Sequence, residues 1–219
     1  NVSHEFKTPM TTIGGFINGI LDGTIPSEKQ EYYLGIVSDE VKRLSGLVNT
    51  MLNISRIETG NVELVYESFN LTELILSVFL GFEQIIENRG INIFGLDFLE
   101  PMVINADKDM INQMIYNLID NAVKFSNDNG DIIITASQTP SDISLSIRNS
   151  GSGIPKEEIE NIFERFYKVD KSRSSDSKSV GLGLHIIKSI IELHHGSINV
   201  KSFENEFTEF LIALPKSVK

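Results

Sequence analysis

The first sixty residues carry an apolar repeat in which steps of three and four residues alternate. Its first run is Phe6, Met10, Ile13, Ile17 and Ile20. A second run with the same spacing covers residues 34–51. Such steps bring apolar side chains to one side of an α-helix. The repeat therefore predicts two long helices, one running to about Asp22 and one beginning at Ser27.

The residues between these helices predict a sharp reversal of the chain. Gly23 to Pro26 interrupt the first helix, and Ser27 with Gln30 forms a capping-box pattern for the second. Gly60 and Asn61 supply a stop. Two helices alone cannot cover so broad an apolar stripe, so we expect a homodimer in which two hairpins form a four-helix bundle. Residues 1–61 form the first predicted domain.

Beyond residue 61 the pattern changes to short strands alternating with helices. The predicted strands cover residues 62–66, 91–98, 101–105, 131–139, 143–149, 197–203 and 207–214. The predicted helices cover 71–88, 108–125 and 182–194, with helical pieces at 157–166. This order predicts an α/β sandwich with a mixed sheet as a second domain, residues 62–219. The polar segment 168–179, KVDKSRSSDSKS, is predicted to be a mobile loop.

The composition of the chain limits the kinds of partner and metal site that it can have. The 219 residues have a formal charge of −11 and a pI near 4.8, which argues against nucleic acid as a partner because phosphates would be repelled. The chain has no cysteine, so disulfides and thiolate metal sites are excluded. No apolar run is long enough to cross a bilayer. Since the chain begins without Met and already inside a helical pattern, we expect a fragment whose upstream part is missing.

The helix predicted over residues 108–125 carries polar residues at a regular spacing. Asn117, Asn121 and Lys124 lie four and three residues apart and share one helix face. Two interpretations remain open from the residues alone. One is an ordinary solvated face, and the other is a magnesium–phosphate site, where amide oxygens complete a magnesium shell and lysine meets phosphate charge.

Two glycine pairs flank the polar loop region. Gly151 and Gly153 follow a predicted strand, whereas Gly181 and Gly183 open a predicted helix, so each pair allows close approach to the backbone. The dinucleotide fingerprint, the Walker-type GxxxxGK[ST] and the HRD and DFG kinase signatures are absent from the sequence. If the chain binds a nucleotide, it must therefore do so through a motif other than these.

The stretch SHEFKTP, residues 3–9, places a histidine and an acid in the first helix. At about 100° per residue, His4 lies far around the helix from the apolar stripe, so we expect it to face water. Thr8 lies one turn further on the same face. Pro9 removes a backbone bond to Glu5 and is expected to loosen this turn.

Taken in order, these motifs resemble the catalytic core of a sensor histidine kinase over nearly the whole chain. SHEFKTP resembles the H box, NLIDNAVK (117–124) the N box and NSGSGIP (149–155) the first glycine box. IFERFYKVD (162–170) resembles the phenylalanine box and VGLGL (180–184) the second glycine box. The resemblance implies a dimerisation and histidine-phosphotransfer hairpin followed by a Bergerat-type ATP-binding sandwich.

The resemblance also implies roles in catalysis. His4 would take the γ-phosphoryl group of ATP, Glu5 would act as its base, and Thr8 would position water in a phosphatase reaction. The phosphoryl group would then pass to an aspartate on the receiver domain of a response regulator.

For the nucleotide, the resemblance implies that Asn121 and Asn117 hold Mg²⁺ and that Lys124 and Lys168 contact the phosphates of ATP. Asn149 would accept a hydrogen bond from adenine, where the family most often has aspartate, and Ser179 stands where a lid glycine is common. The remaining residues of the implied site are Gly151, Gly153, Tyr167, Gly181, Leu182, Gly183 and Leu184.

Two further interpretations stay open. One is an ATPase or serine kinase on the same sandwich, and the other is a dimeric scaffold that binds nucleotide without phosphoryl transfer. The resemblance implies the cytoplasmic portion of a plasma-membrane sensor, attached to the membrane only through upstream segments.

Overall fold

The computed structural model describes residues 2–58, 63–169 and 181–217, with the side chains of residues 2–5, 49, 50, 53, 54 and 56–58 left out of that description. The chain divides into two compact units, Asn1–Val62 and Glu63–Lys219.

The first unit is a helical hairpin. Helix α1 covers Val2–Leu21 and helix α2 covers Ser27–Glu58. Gly23, with φ of +76°, turns the chain between them, and the Thr24 amide donates to Asp22 Oδ1 at 2.9 Å. The helices pack through Phe16 and Tyr33, whose ring centroids are 4.9 Å apart. The predicted stop at residues 60 and 61 lies outside the described residues.

The second unit alternates strands and helices. Its strands are β1 Tyr66–Asn70, β2 Asn92–Phe94, β3 Val103–Asp107, β4 Asp131–Gln138, β5 Asp142–Ser150, β6 Ser197–Phe203 and β7 Phe207–Pro215. Its helices are α3 Leu71–Leu80, α4 Glu83–Asn88, α5 Lys108–Phe125 and α6 Gly183–Leu193, with a 3₁₀ turn at Leu96–Phe98.

Five strands form the main sheet in the order β2-β4-β5-β7-β6. β2 and β4 are parallel and the other neighbours are antiparallel, so the sheet is mixed. Along β5 and β7 the side chains alternate between buried and more exposed, as expected for a sheet covered on one face. β1 and β3 pair separately as a two-stranded sheet.

The core lies between the inner face of this sheet and the helices α3, α5 and α6. The sheet contributes Ile132, Ile134, Ile143, Leu145, Ile147, Phe210, Ile212 and Leu214. The helices contribute Leu71, Ile75, Ile111, Met114, Ile115, Leu118, Ile119, Ile186, Ile187, Ile190 and Ile191. The predicted helical hairpin followed by an α/β sandwich with a mixed sheet is confirmed.

Several element boundaries differ from the sequence prediction. The helix expected over residues 71–88 is interrupted after Leu80, and the strand expected over 91–98 is reduced to β2 and the 3₁₀ turn. The helical pieces expected at 157–166 are successive turns, in which the amides of Glu158, Asn161 and Glu164 each donate three residues back at 2.9 Å. Bonds of this span close single turns rather than an α-helix.

Candidate functional site

The N-terminal turns of α1 carry the histidine motif. His4 belongs to the helix, but its side chain and that of Glu5 lie outside the described part of the structure, so the exposure of His4 remains a prediction. Thr8 is exposed, and Pro9 lies inside the helix with its ring buried. Because proline has no N–H, the helix lacks one backbone bond at this turn.

Helix α5 presents a polar stripe beside its buried side. Asn117, Asn121 and Lys124 are all half-buried, whereas their neighbours Leu118 and Ala122 are buried in the core. The helix begins where Asp107 Oδ1 accepts from the Met110 amide at 3.1 Å, which fixes the rotation of the stripe.

One atom of this stripe has unmet bonding capacity. The Asn121 Nδ2 atom is buried and has no hydrogen-bond partner among the described residues. An unpaired buried donor costs about 1–3 kcal/mol, so native folds seldom keep one without a reason. Rotating the amide by half a turn would exchange its nitrogen and oxygen, so Asn121 is able to offer either a donor or an acceptor to a ligand.

The start of α6 faces this stripe. A Cβ added to Gly183 would lie 3.9 Å from both Asn117 Oδ1 and Asn121 Nδ2. The residues of the predicted N box and second glycine box therefore lie opposite each other across a short gap. Leu182, buried just before the helix, makes no side-chain capping bond. Amide groups at an uncapped helix start, together with the helix dipole, favour an anion.

The phenylalanine box and the second glycine box are joined by backbone contacts. The Phe166 amide donates to the Gly181 carbonyl at 2.8 Å. Gly181 has φ of +73°, and a Cβ there would lie 2.7 Å from the Tyr167 carbonyl oxygen, so glycine is required at this position. Tyr167 and Lys168 are half-buried beside this junction. The predicted mobile loop lies almost wholly in residues 170–180, outside the described residues.

A second link between these boxes was missed by the sequence analysis. His185 of α6 accepts from Arg165 Nε through its Nε2 atom at 3.2 Å. Its Nδ1 atom lies 3.0 Å from the Phe163 carbonyl, and since arginine is always a donor, Nδ1 carries the proton in that contact. The only available signal was the position of His185 directly after VGLGL, which gives no indication of its partners.

Asn149 is a buried polar residue on the inner face of β5. Only 3% of it is exposed, and its Nδ2 atom donates to the Ser150 carbonyl at 3.3 Å. It faces the same layer as Ile147 and pairs across the sheet with Thr208, which is also buried. An amide thus replaces a hydrophobic side chain at the edge of the core, beside the first glycine box.

The glycines of that box are required by internal packing. A Cβ on Gly151 would lie 2.0 Å from the Phe125 carbonyl oxygen, and one on Gly153, which has φ of +66°, would lie 2.1 Å from the Phe203 carbonyl oxygen. The Gly151 amide donates to Glu206 at 3.0 Å, and the Ile154 amide donates to a side chain of β6. The first glycine box is therefore held rigidly between α5 and the β6–β7 hairpin.

The polar stripe of Asn117, Asn121 and Lys124 contains no carboxylate of its own. Among the described residues, no group of three or more His, Cys, Asp or Glu side chains is arranged to hold a metal ion. Beside the stripe, burial raises the pKa of the Tyr116 hydroxyl above its ordinary value of 10.0, and the Asp120 carboxylate adds to that shift. A divalent cation next to the asparagine amides would therefore need anionic oxygens from its own ligand, as a nucleotide phosphate supplies.

Both parts of the chain match known families. Residues 106–218 match the family described as Histidine kinase-, DNA gyrase B-, and HSP90-like ATPase. Residues 1–60 match the His Kinase A (phospho-acceptor) domain. The sandwich is thus of the ATPase class, and the chain as a whole belongs to the histidine kinases. The predicted resemblance of the chain to a histidine kinase catalytic core is confirmed.

Individual relatives agree with this assignment. The chain is 38% identical to sensor protein SrrB of Staphylococcus aureus over 99% of its own length and 37% of that protein. Histidine kinase AdeS of Acinetobacter baumannii superimposes with a TM-score of 0.81 and 25% identity, over 98% of both chains. Histidine kinase ThkA, solved in complex with response regulator protein TrrA, gives a TM-score of 0.75 and 34% identity over 99% of this chain and 60% of that one.

The chain therefore spans little more than a third of the length of the curated relatives that it matches. In the described ranges, none of the helices has the length and apolarity needed to cross a bilayer.

Proposed function

We propose that this chain is the catalytic core of a sensor histidine kinase that transfers the γ-phosphoryl group of ATP to His4. The observation that carries the proposal is the unpaired, buried Asn121 amide facing Gly183 at the start of α6. Hydrogen-bond capacity that is left unmet in the folded chain, opposite an uncapped helix start, suits a polyphosphate better than it suits a purely structural role.

The same arrangement supports specific nucleotide contacts. Asn121 and Asn117 would hold magnesium through their amide oxygens, and the metal would offset charge on the phosphates. Lys124 follows on the same stripe and would contact a phosphate, with Lys168 approaching from the lid side. The backbone amides from Gly181 to Leu184 would donate to phosphate oxygens.

The adenine would lie near Asn149, at the inner end of β5. Its amide oxygen accepts the bond from the adenine amino group that an aspartate would accept with charge. Gly151 and Gly153 would fix the loop beside the ring, consistent with their tight packing, and Tyr167 would approach the bound nucleotide beside Lys168 at the end of the phenylalanine box.

In the transfer step, the neutral imidazole of His4 attacks the γ-phosphorus, a nitrogen–phosphorus bond forms and ADP leaves with the bridging oxygen. Glu5 accepts the proton from the other ring nitrogen. Exposed Thr8, one turn along α1, would position water for hydrolysis of a response-regulator aspartyl phosphate. That acceptor aspartate would lie on a receiver domain, as the ThkA complex with TrrA suggests by analogy.

The hairpin supports a homodimer. Among the exposed apolar residues of α2, Leu34, Val41 and Val48 are spaced by seven, and Met10 and Ile17 repeat that spacing on α1. A seven-residue repeat left exposed on both helices is typical of a helix-packing seam that lacks its partner. Residues 1–61 would then be the dimerisation and phosphotransfer domain and residues 62–219 the catalytic domain, as the cytoplasmic portion of a plasma-membrane sensor.

Incubation with γ-labelled ATP and magnesium tests the proposal. We expect the chain to acquire label that is lost in acid, retained in alkali and absent from His4→Gln. Asn121→Ala should also remain unlabelled. Retention of the label in His4→Gln would identify another nucleophile, and acid-stable label would instead indicate a serine kinase.

A further inference from the structure

The Arg89 side chain bonds the C-terminal end of α5, the helix that carries the polar stripe. It follows α4, and its Nη1 and Nη2 atoms donate to the Val123 and Ser126 carbonyls, each at 2.5 Å. Its Nε atom donates to Asp128 Oδ1 at 2.8 Å. The main chain adds a fourth contact, because the Asn129 amide donates to the Arg89 carbonyl at 2.8 Å.

These contacts have the right electrostatics to fix a helix end. Carbonyl groups in the last turn of a helix carry partial negative charge, and a guanidinium offers a planar fork of donors to them. Asp128 is 73% exposed, so its ion pair with Arg89 contributes little by itself. The two carbonyl bonds, to Val123 and Ser126, are therefore the ones that hold the backbone.

The segment bonded by Arg89, residues 123–126, contains Lys124 and contacts the first glycine box. Lys124 lies between the two bonded carbonyls, and the next carbonyl, that of Phe125, packs directly against Gly151. The Asn127 amide then donates to the Ser150 carbonyl at 3.2 Å. Movement of this segment would displace both the stripe lysine and the glycine loop.

We propose that Arg89 is a positioning residue for nucleotide binding, acting through Lys124. The inference rests on the proposed function, in which Lys124 contacts a phosphate. Arg89 acts through the backbone that it bonds, because Nε, Nη1 and Nη2 all donate to groups of the protein itself, two carbonyls and Asp128.

A double-mutant cycle tests this with the nucleotide analogue AMPPNP and magnesium, using titration calorimetry on the full chain. We expect Arg89→Met to weaken binding about tenfold, the effect of losing charge-assisted hydrogen bonds. In a Lys124→Met background the same change should weaken AMPPNP binding less than about twofold, because the effects of two residues that act through each other are not additive. Equal factors in both backgrounds would overturn the inference.

Two control variants separate positioning from folding. Asp128→Asn removes only the exposed ion pair and should bind AMPPNP like the parent chain. Arg89→Lys keeps the charge but loses the fork, so it should lower the urea midpoint slightly and should also bind AMPPNP more weakly. If Arg89→Lys lowers the midpoint and leaves affinity intact, the role is purely structural and the inference fails. A parent chain that does not bind AMPPNP would refute the proposed function as well.

Discussion

A single side chain illustrates how function can oppose stability at the residue scale. The Asn121 amide nitrogen is buried without a partner among the described residues, and asparagine also has mediocre helix propensity. Both features disfavour this residue at this site in the ligand-free fold. A residue that costs stability in the folded chain is best explained by what it binds.

Asn121→Ala should therefore abolish AMPPNP binding while leaving the free energy of unfolding unchanged or about 1 kcal/mol higher, since the unpaired donor is removed. Urea denaturation of the ligand-free chain and calorimetry of AMPPNP binding would measure both quantities. A clear loss of stability would mean that the amide has a structural partner, and the argument for a ligand would be lost.

Two glycines of the site should respond differently to the same substitution. Gly153→Ala puts a Cβ 2.1 Å from a backbone oxygen at φ of +66°, so we expect a destabilisation of at least about 2 kcal/mol. Gly183→Ala adds a methyl group with ordinary 3.9 Å contacts in a helix, so stability should hold. That methyl group fills the gap facing the asparagines, and AMPPNP binding should fall. Equal effects of the two changes on stability would contradict this assignment.

Tyr116 provides a pH-dependent signal next to the stripe. Burial, followed by the Asp120 charge, raises its pKa in the folded chain above 10.0, so the folded state resists deprotonation more than the unfolded state does. The stability associated with the neutral phenol is therefore complete below pH 10 and is lost as the pH rises through the folded pKa. Tyr116→Phe should reduce the alkaline fall in unfolding free energy measured by urea titration. An identical alkaline fall in both chains would show that titratable groups other than Tyr116 cause the loss of unfolding free energy.

At the scale of elements, helix α5 is fixed at both ends by charged side chains. Asp107 caps its start and also accepts from the Val65 amide through Oδ2 at 3.0 Å. The Asp107 amide in turn donates to Nε2 of buried His194 at 3.1 Å. One residue thus joins the chain entering the sandwich, the start of α5 and the end of α6.

Asp107→Ala should lower the unfolding free energy of the sandwich by about 1–2 kcal/mol, as expected for a lost helix cap with a second bond. Asp107→Asn keeps an acceptor oxygen for the cap and should cost less. Thermal and urea unfolding of both variants would measure the difference. If asparagine is as damaging as alanine, charge rather than hydrogen bonding holds the helix start.

Sequence patterns predicted the long elements well, and tertiary contacts decided the rest. Helix α5 matches its predicted bounds because its cap, apolar periodicity and end are all local. The strand expected at 62–66 instead begins at Tyr66, since its register is set by pairing with Asp107 of β3. The strand expected over 91–98 ends early because Gly95, at φ of +95°, packs against the Ile134 carbonyl.

The residues of the candidate site also divide into those that local sequence patterns predict and those that depend on tertiary contacts. Asn117, Asn121 and Lys124 could be grouped on one face from their spacing, which depends only on helix geometry. Their proximity to Gly183 could not be predicted, because it depends on the packing of α6 against α5, two helices that β4 and β5 separate in the sequence. The roles of Arg89 and His185 depend on contacts between distant segments, which leave no local pattern in the sequence.

At the scale of the whole molecule, the two units meet the need for burial differently. The sandwich encloses its own core, whereas the hairpin leaves Leu34, Val41 and Val48 exposed in a seven-residue repeat. These residues are 41–50% exposed, so each forgoes roughly half of the about 1.5–3 kcal/mol that full burial of a Val or Leu side chain contributes. A second hairpin with the same repeat could cover this face symmetrically, because a two-fold axis brings identical stripes together.

Val41→Glu should therefore convert a dimer into a monomer, since pairing would bury an uncompensated carboxylate near the middle of α2. Gly46→Glu adds the same charge at an exposed position of α2 that lies about 120–160° around the helix from the three repeat residues, and it should leave the dimer intact. Light scattering coupled to gel filtration measures the mass of each variant, and circular dichroism should find the helix content of both unchanged. A Val41→Glu chain that remains dimeric would require pairing through a different face, and the seven-residue repeat would then have no part in assembly.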